Sequence, residues 1–300
     1  MRRPISSYNI VTYTAVVEAR RMHRCFRWLF DGKRYAKTLQ EQPLPYRVYK
    51  HQSVLIRTLG DVDQQLQINK VQNIRLSIPK INGILLRPGE TFSYFYLVGR
   101  ATRRKGFLEG MMLSGGEAVA GIGGGICQIA NLIHWICLHS PLTVTEHHHH
   151  AFDAFPDSGR VVPFGSGATL MYNYLDYQVT NQTDHTFQLR FWLDKKCING
   201  ELRVDEELPY SYHVYERNHA FYRIGEEHYR TNELWRCKIK KIGSGEVLQN
   251  ELVQQNFSLV KYQPDEAACI VAEPGATPQE VKAQLQEHLR QELQQNADRT

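Results

Sequence analysis

Hydrophobic and polar positions change rhythm along the chain, and each rhythm predicts an element. Over residues 13–37, Val16, Val17, Met22, Phe26, Leu29 and Phe30 recur at helical spacing with arginines on the other side, which predicts an amphipathic helix stopped at Asp31-Gly32. Pro43 and Pro45 mark a connector. Residues 53–82 fit helix and strand equally, and Pro79 argues against one long helix. Residues 84–86, the turn chemistry of Arg87-Pro88-Gly89-Glu90 and the aromatic run 91–96 read as strand, turn, strand. Residues 126–139 form the strongest central helix, ended by Pro141. Residues 142–145, 168–180 and 187–193 read as strands, and the tyrosine-rich stretch 200–265 as further short strands. Thr277-Pro278-Gln279-Glu280 is a capping box ahead of Val281, Leu285, Leu289 and Leu293, the apolar stripe of a last helix. A helix between strands, followed by successive strands, predicts an α+β fold. Its expected parts are a mixed or antiparallel sheet, a central helix after a glycine-rich loop, and peripheral helices at the two ends. The expected organisation is a basic helical extension over 1–52, an α+β domain over 53–265, and a linker with an amphipathic helix over 266–300.

Composition narrows the class. The 300 residues are 42% hydrophobic and 22% charged, which excludes wholesale disorder. The longest apolar run, 126–138, is broken by Gln128, Asn131 and His134, so no transmembrane helix is expected. The first residues lack an apolar h-region, so no secretory signal is read and the cytoplasm is the expected compartment. The net charge of +5 is uneven: the first 50 residues hold eleven Lys/Arg against three Asp/Glu. That balance fits an acidic partner or a solvated basic helix; nucleic acid is not an expected partner. The six cysteines are scattered without a CxxC pair, which excludes a disulfide scaffold or zinc ribbon. Cys25, Cys137, Cys197, Cys237 and Cys269 read as small core residues.

The chemistry concentrates at Gly121-Ile122-Gly123-Gly124-Gly125-Ile126-Cys127-Gln128. Cys127 falls at a helix start, where unpaired N–H groups and the helix dipole favour a thiolate and are expected to lower its pKa. Gly123, Gly124 and Gly125 permit close substrate approach and can turn N–H groups towards an oxyanion. The tract His147–His150 follows the next strand. Alternation puts His148 and His150 on one side and His147 and His149 on the other, and either pair can supply the base. Asp153, Asn173 and Asp176 are candidates to orient that imidazole. Gln128 and Asn131 flank the thiol on the substrate side, while His134 lies about 10 Å along the helix, too far to be the direct base. Arg100, Arg103 and Arg104 are candidates to pair with substrate carboxylates. Nucleotide readings fail: Ile126 stands where a dinucleotide fingerprint needs glycine, and a P-loop lysine is missing. Gly165-Ser166-Gly167 does not make a nucleophile elbow. The histidine tract also fits a solvated loop, or a zinc site with Cys127, though neither a second cysteine nor HExxH spacing supports a metal. No metal or other cofactor is expected.

These residues resemble a known family. Residues 87–93 (Arg-Pro-Gly-Glu-Thr-Phe-Ser), Val98-Gly99, residues 121–128, Glu146 to His150, residues 164–169 and residues 172–177 look like the VanW family. The likeness is densest over 60–195 and continues more weakly to about 263. The family is associated with vancomycin resistance and peptidoglycan, and some members act as cysteine-dependent L,D-transpeptidases. The resemblance implies Cys127 as nucleophile, His148 or His150 as base, and a cell-wall peptide or peptidoglycan precursor as partner. Two other readings stand beside it: a non-enzymatic module binding D-Ala-terminated peptides, and a zinc-binding structural protein.

Overall fold

The structure, a computed structural model, describes residues 10–57, 63–114, 117–149, 152–157, 161–172, 174–243 and 245–297. Helix α1 (Ile10–Phe30) ends where Gly32 takes a positive φ of 72°. Strands β1 (Arg34–Tyr35) and β2 (Tyr46–Val54) follow, then helix α2 (Gln64–Ile81), capped by the Asp63 side chain on the Gln65 N–H. Pro79 sits in the last turn of α2, where its missing N–H costs one ladder bond rather than breaking the helix. Strands β3 (Ile84–Leu86) and β4 (Glu90–Ser93) flank the expected turn. The aromatic run does not continue as strand: Ser93 accepts the Tyr96 N–H through its side chain and starts helix α3 (Tyr94–Val98).

The glycine-rich stretch forms a hairpin, β5 (Glu109–Ser114) with β6 (Glu117–Ile122), and then the central helix α4 (Cys127–Leu138). The remaining strands are β7 (Thr143–Glu146), β8 (Phe152–Asp153), β9 (Gln178–Thr180), β10 (Phe187–Leu193), β11 (Cys197–Val204), β12 (Tyr210–Ile224), β13 (Glu227–Lys240), β14 (Val247–Val260) and β15 (Cys269–Val271). Helix α5 (Pro278–Ala297) closes the order, with the capping box formed: the Thr277 N–H donates to Glu280 at 2.7 Å.

The strands form sheets ordered β1-β4-β9-β7, β2-β11-β10-β3 and β15-β12-β13-β14-β8, with β5-β6 apart. The mixed and antiparallel pairing is the expected α+β architecture. Helix α4 is apolar nearly all round and buried, and Leu132 and Ile136 lie against β11. Gly200 of β11 permits that approach, since a Cβ there would come within 2.7 Å of Ile136 Cδ1.

Other expectations change as well. Of the described residues in 168–180, the last three pair as strand, while Met171 and Leu175 form an isolated bridge. The stretch 200–265 is three long strands rather than several short ones, because β12, β13 and β14 run as one meander. The later part of the stripe predicted for α1 faces outward: Met22, Phe26, Leu29 and Phe30 are exposed, whereas Val17 lines the cleft described below, Arg24 is buried and Trp28 packs edge-on against Tyr96. Cys25 is exposed on the same helix rather than in the core.

The end segments share sheets with the middle of the chain. Residues 52 and 53 lie inside β2, which pairs along β11 from Tyr46 opposite Val204 to Val54 opposite Cys197. β15 pairs in parallel with β12. Among the described residues no helix is long and apolar enough to cross a membrane.

Candidate functional site

A cleft of about 640 Å³ opens between α1, the β5–β6 hairpin, the start of α4 and the loop 162–172. Cys127, Gly123, Gly124, Gly125, Gln128 and Asn131 all line it. The glycines are fixed by packing. A Cβ on Gly124 would lie 2.1 Å from the Gly110 carbonyl oxygen, and Gly125 has a φ of 85° with Lys70 directly over it. The Gly123 N–H donates to Leu108 at 3.0 Å and the Gly124 N–H to Gly121 at 2.9 Å, so these two are not free for an oxyanion. Among the described residues the Gly125 and Ile126 N–H groups have no acceptor, and the Cys127 N–H faces its own sulfur. They stand at the N-terminus of α4, where the helix dipole favours negative charge.

Cys127 is half-buried, and its Sγ lies 3.5 Å from the Leu170 nitrogen, whose N–H it accepts. Burial pushes its thiol up; the Leu170 N–H and the residue's own N–H offset part of that. The helix start favours a lowered thiol pKa, and burial acts in the opposite direction. Asn131 accepts the Ala168 N–H at 2.6 Å and so ties the loop to α4. Gln128 donates to Ser53 Oγ at 2.8 Å and to the Val54 carbonyl at 2.7 Å, leaving its own buried oxygen without a partner among the described residues.

The histidines divide as alternation predicts. His147 stacks on buried His134 with ring centroids 4.0 Å apart and meets His149 edge-on at 4.4 Å. His149 lines the cleft and shares a hydrogen bond of 3.0 Å with Gln254, and burial lowers its pKa. His148 lies on the other side, 3.1 Å from Glu146, and does not line the cleft. Of the tract's described histidines, His149 rather than His148 shares the cleft with Cys127, and His51 of β2 lines it as well. His150 and Asn173 lie outside the described residues.

The two described carboxylates are both engaged by other groups. Asp153 lines the cleft but is held by Arg230 at 3.1 Å and the Tyr262 hydroxyl at 2.8 Å. Asp176 is buried and accepts from Ser93 Oγ at 2.5 Å and from the Phe95 N–H at 3.0 Å, which fixes the start of α3. Arg100 lines the cleft, 3.4 Å from Glu18, whereas Arg103 pairs with Glu109 on the surface and, like Arg104, stays outside.

The spacing of residues leaves several site residues unmarked. Asn73 of α2 donates to the carbonyls of Leu108 and Gly124 at 3.1 and 2.9 Å and accepts the Leu108 N–H at 2.8 Å, clamping the glycine loop. Lys70, one helical turn earlier, lines the cleft, as do Arg57 and, from α1, Arg21. Glu146 joins Arg24 to the histidine strand. A group of ligand atoms close enough to hold a metal, His228, Glu266 and Cys269, contains none of the cleft residues.

Comparison with known proteins places this geometry. A family model described as VanW like protein matches residues 69–203. The chain is 31% identical over 233 residues to the vancomycin B-type resistance protein VanW of Enterococcus faecalis, covering 78% of this chain and 84% of that protein. It is 30% identical over 122 residues to YoaR of Bacillus subtilis, described as uncharacterized, covering 41% and 39% of the two chains. No solved structure matches. A likeness that runs over most of both chains, and includes the glycine loop, the cysteine and the histidine strand, makes this chain a member of the VanW family.

Proposed function

We propose that this protein acts in peptidoglycan metabolism as a cysteine-dependent acyl transferase of the L,D-transpeptidase kind. The observation that supports it is Cys127 in the cleft wall beside the Gly125 and Ile126 N–H groups, which have no acceptor among the described residues. The Cys127 sulfur attacks a carbonyl carbon of a stem peptide, and its proton passes to a base, for which His149 is the described candidate and His150 lies outside the described residues. The oxyanion is received by the N–H groups of Gly125, Ile126 and Cys127. The C–N bond breaks, the departing amine takes the proton, and a thioester remains on Cys127. A second stem's amine then attacks the thioester, forms the new amide, and returns the thiol. Because burial holds Cys127 as the neutral thiol, the base is indispensable in this scheme.

The test is incubation with a cell-wall stem tetrapeptide followed by peptide mass spectrometry. The expected result is a thioester adduct on Cys127 that is missing in Cys127→Ala. A wild-type protein that never carries the adduct, yet binds the peptide, would favour a second reading. That reading is a non-enzymatic module for D-Ala-terminated peptides, and it draws on the raised thiol pKa and the backbone hydrogen bond that already engages Cys127 Sγ.

A further inference from the structure

The charge around the cleft is one-sided. Arg21, Arg57, Lys70 and Arg100 line it, and the one lining carboxylate among the described residues, Asp153, is engaged by Arg230 and Tyr262. Arg21 and Arg100 both reach Glu18. Lys70 and Arg57 have no carboxylate partner among the described residues.

Lys70 is the more telling of the two. It is 7% exposed, its stem lies across Gly125, and a Cβ on that glycine would come within 2.2 Å of Lys70 Cγ. Its ammonium donates at 2.6 Å to Gln67 and has Arg57 as its charged neighbour. Burial first, and Arg57 second, pull its pKa down to about 8. A buried ammonium beside a second cation, with no counter-charge among the described residues, is costly to the folded chain. An anion entering the cleft offsets that cost, and the Gly125, Ile126 and Cys127 N–H groups at the start of α4 favour the same sign of charge.

We propose that Lys70 and Arg57 form a subsite for the free carboxylate of an acidic peptide ligand, beside the glycine loop that leads into Cys127. The apolar side chains of Met111, Val119, Phe155 and Val162 along the cleft suit a peptide better than a hydrated phosphate. The subsite deepens the acyl-transfer reading, on which it rests for the nearness of the ligand's carbonyl to Cys127; the charge argument holds without it.

The experiment uses the full chain carrying Cys127→Ala, so that binding is read without chemistry. The probes are N-acetyl-D-alanyl-D-alanine and its C-terminal amide, titrated calorimetrically, with inorganic phosphate as competitor. The acid is expected to bind about tenfold or more tighter than the amide, the scale of a lost charged hydrogen bond. Adding Lys70→Gln, which keeps the stem over Gly125, is expected to erase that ratio while the thermal melt stays cooperative. If that variant does not fold, Arg57→Gln is expected to reduce the ratio. Equal binding of acid and amide, no binding of the acid, a ratio unchanged by these substitutions, or phosphate binding more tightly than the acid each overturns the proposal. The two readings separate cleanly. Acid preference without a thioester in the wild type leaves the subsite and removes the chemistry; a thioester without acid preference does the reverse.

Discussion

Arg24 and Glu146, 122 residues apart in the chain, meet through two N–H···O contacts of 2.7 and 2.6 Å. Arg24 also donates to the Tyr174 carbonyl, and Glu146 also accepts the Asp176 N–H at 3.0 Å and faces His148. One buried pair therefore joins α1, the end of β7 and the loop before β9. Removing one partner of such a pair leaves a buried charge, so Arg24→Ala is expected to cost about 3–5 kcal/mol in urea unfolding. A loss below about 0.5 kcal/mol, the ordinary range for surface substitutions, would show that α1 is not anchored there.

The same pair sets an acid limit. Burial alone raises the Glu146 pKa, but the Arg24 guanidinium, with His148 and the Asp176 N–H, outweighs it and holds the value to about 2, below the ordinary 4.5. A carboxylate depressed by folding contributes stability that is full above its unfolded pKa and lost as pH falls towards the folded one. Stability is expected to drop between about pH 4.5 and pH 2. Glu146→Gln should flatten its share of that slope, read from unfolding midpoints across the range.

Cys127 is expected to be a slow thiol in the unliganded protein. Burial raises its pKa, so alkylation by iodoacetamide at neutral pH should lag behind that of exposed Cys25 and accelerate only as pH rises past the free-thiol range of about 8.5. Peptide mass spectrometry over time reads both sites in one sample. Faster labelling of Cys127 than of Cys25 at pH 7 would contradict the dominance of burial.

His149 and His148 are expected to separate function from stability. His149→Ala should lower the yield of Cys127 adduct by about a hundredfold or more, the usual scale of a general base, with little change in melting temperature. His148→Ala should leave adduct formation largely intact and weaken the protein modestly, because it removes a neighbour of Glu146. The opposite assignment would move the base to the other side of the strand.

Gly124→Ala is expected to destabilise by about 1–3 kcal/mol or more, since its Cβ meets backbone rather than a movable side chain. A melting curve comparable to wild type would mean that the β5–β6 hairpin shifts easily away from the loop.

Much of this arrangement was readable from residue patterns, and the failures have physical causes. The glycine loop, α4, the capping box of α5 and the side-by-side alternation of the histidines follow from local rules. α2 stayed ambiguous because the face it buries is largely polar: Gln67, Lys70, Asn73 and Ser77 repeat at helical spacing, but hydrophobicity does not mark them. Asn73 and Lys70 meet the glycine loop, a partner visible only once the chain is folded. α1 misled in the opposite way. Its apolar stripe suggested a buried face, yet Arg24 turned the polar side inward because Glu146 waits there, a pairing that no local window contains. The pKa of Cys127 failed for a similar reason, since the loop at Leu170 that buries it is remote in sequence.

The cleft's walls extend beyond the stretch that defines the family. Tyr13, Val17 and Arg21 come from α1, His51 and Ser53 from β2, and Asn256 and Ser258 from β14, all outside residues 69–203. The shared segment carries the cysteine and its glycines, while the surfaces that touch the outer parts of a ligand are furnished by flanking sequence. A fragment trimmed to residues 69–203 would therefore keep the thiol and its glycine loop but lose these parts of the cleft wall.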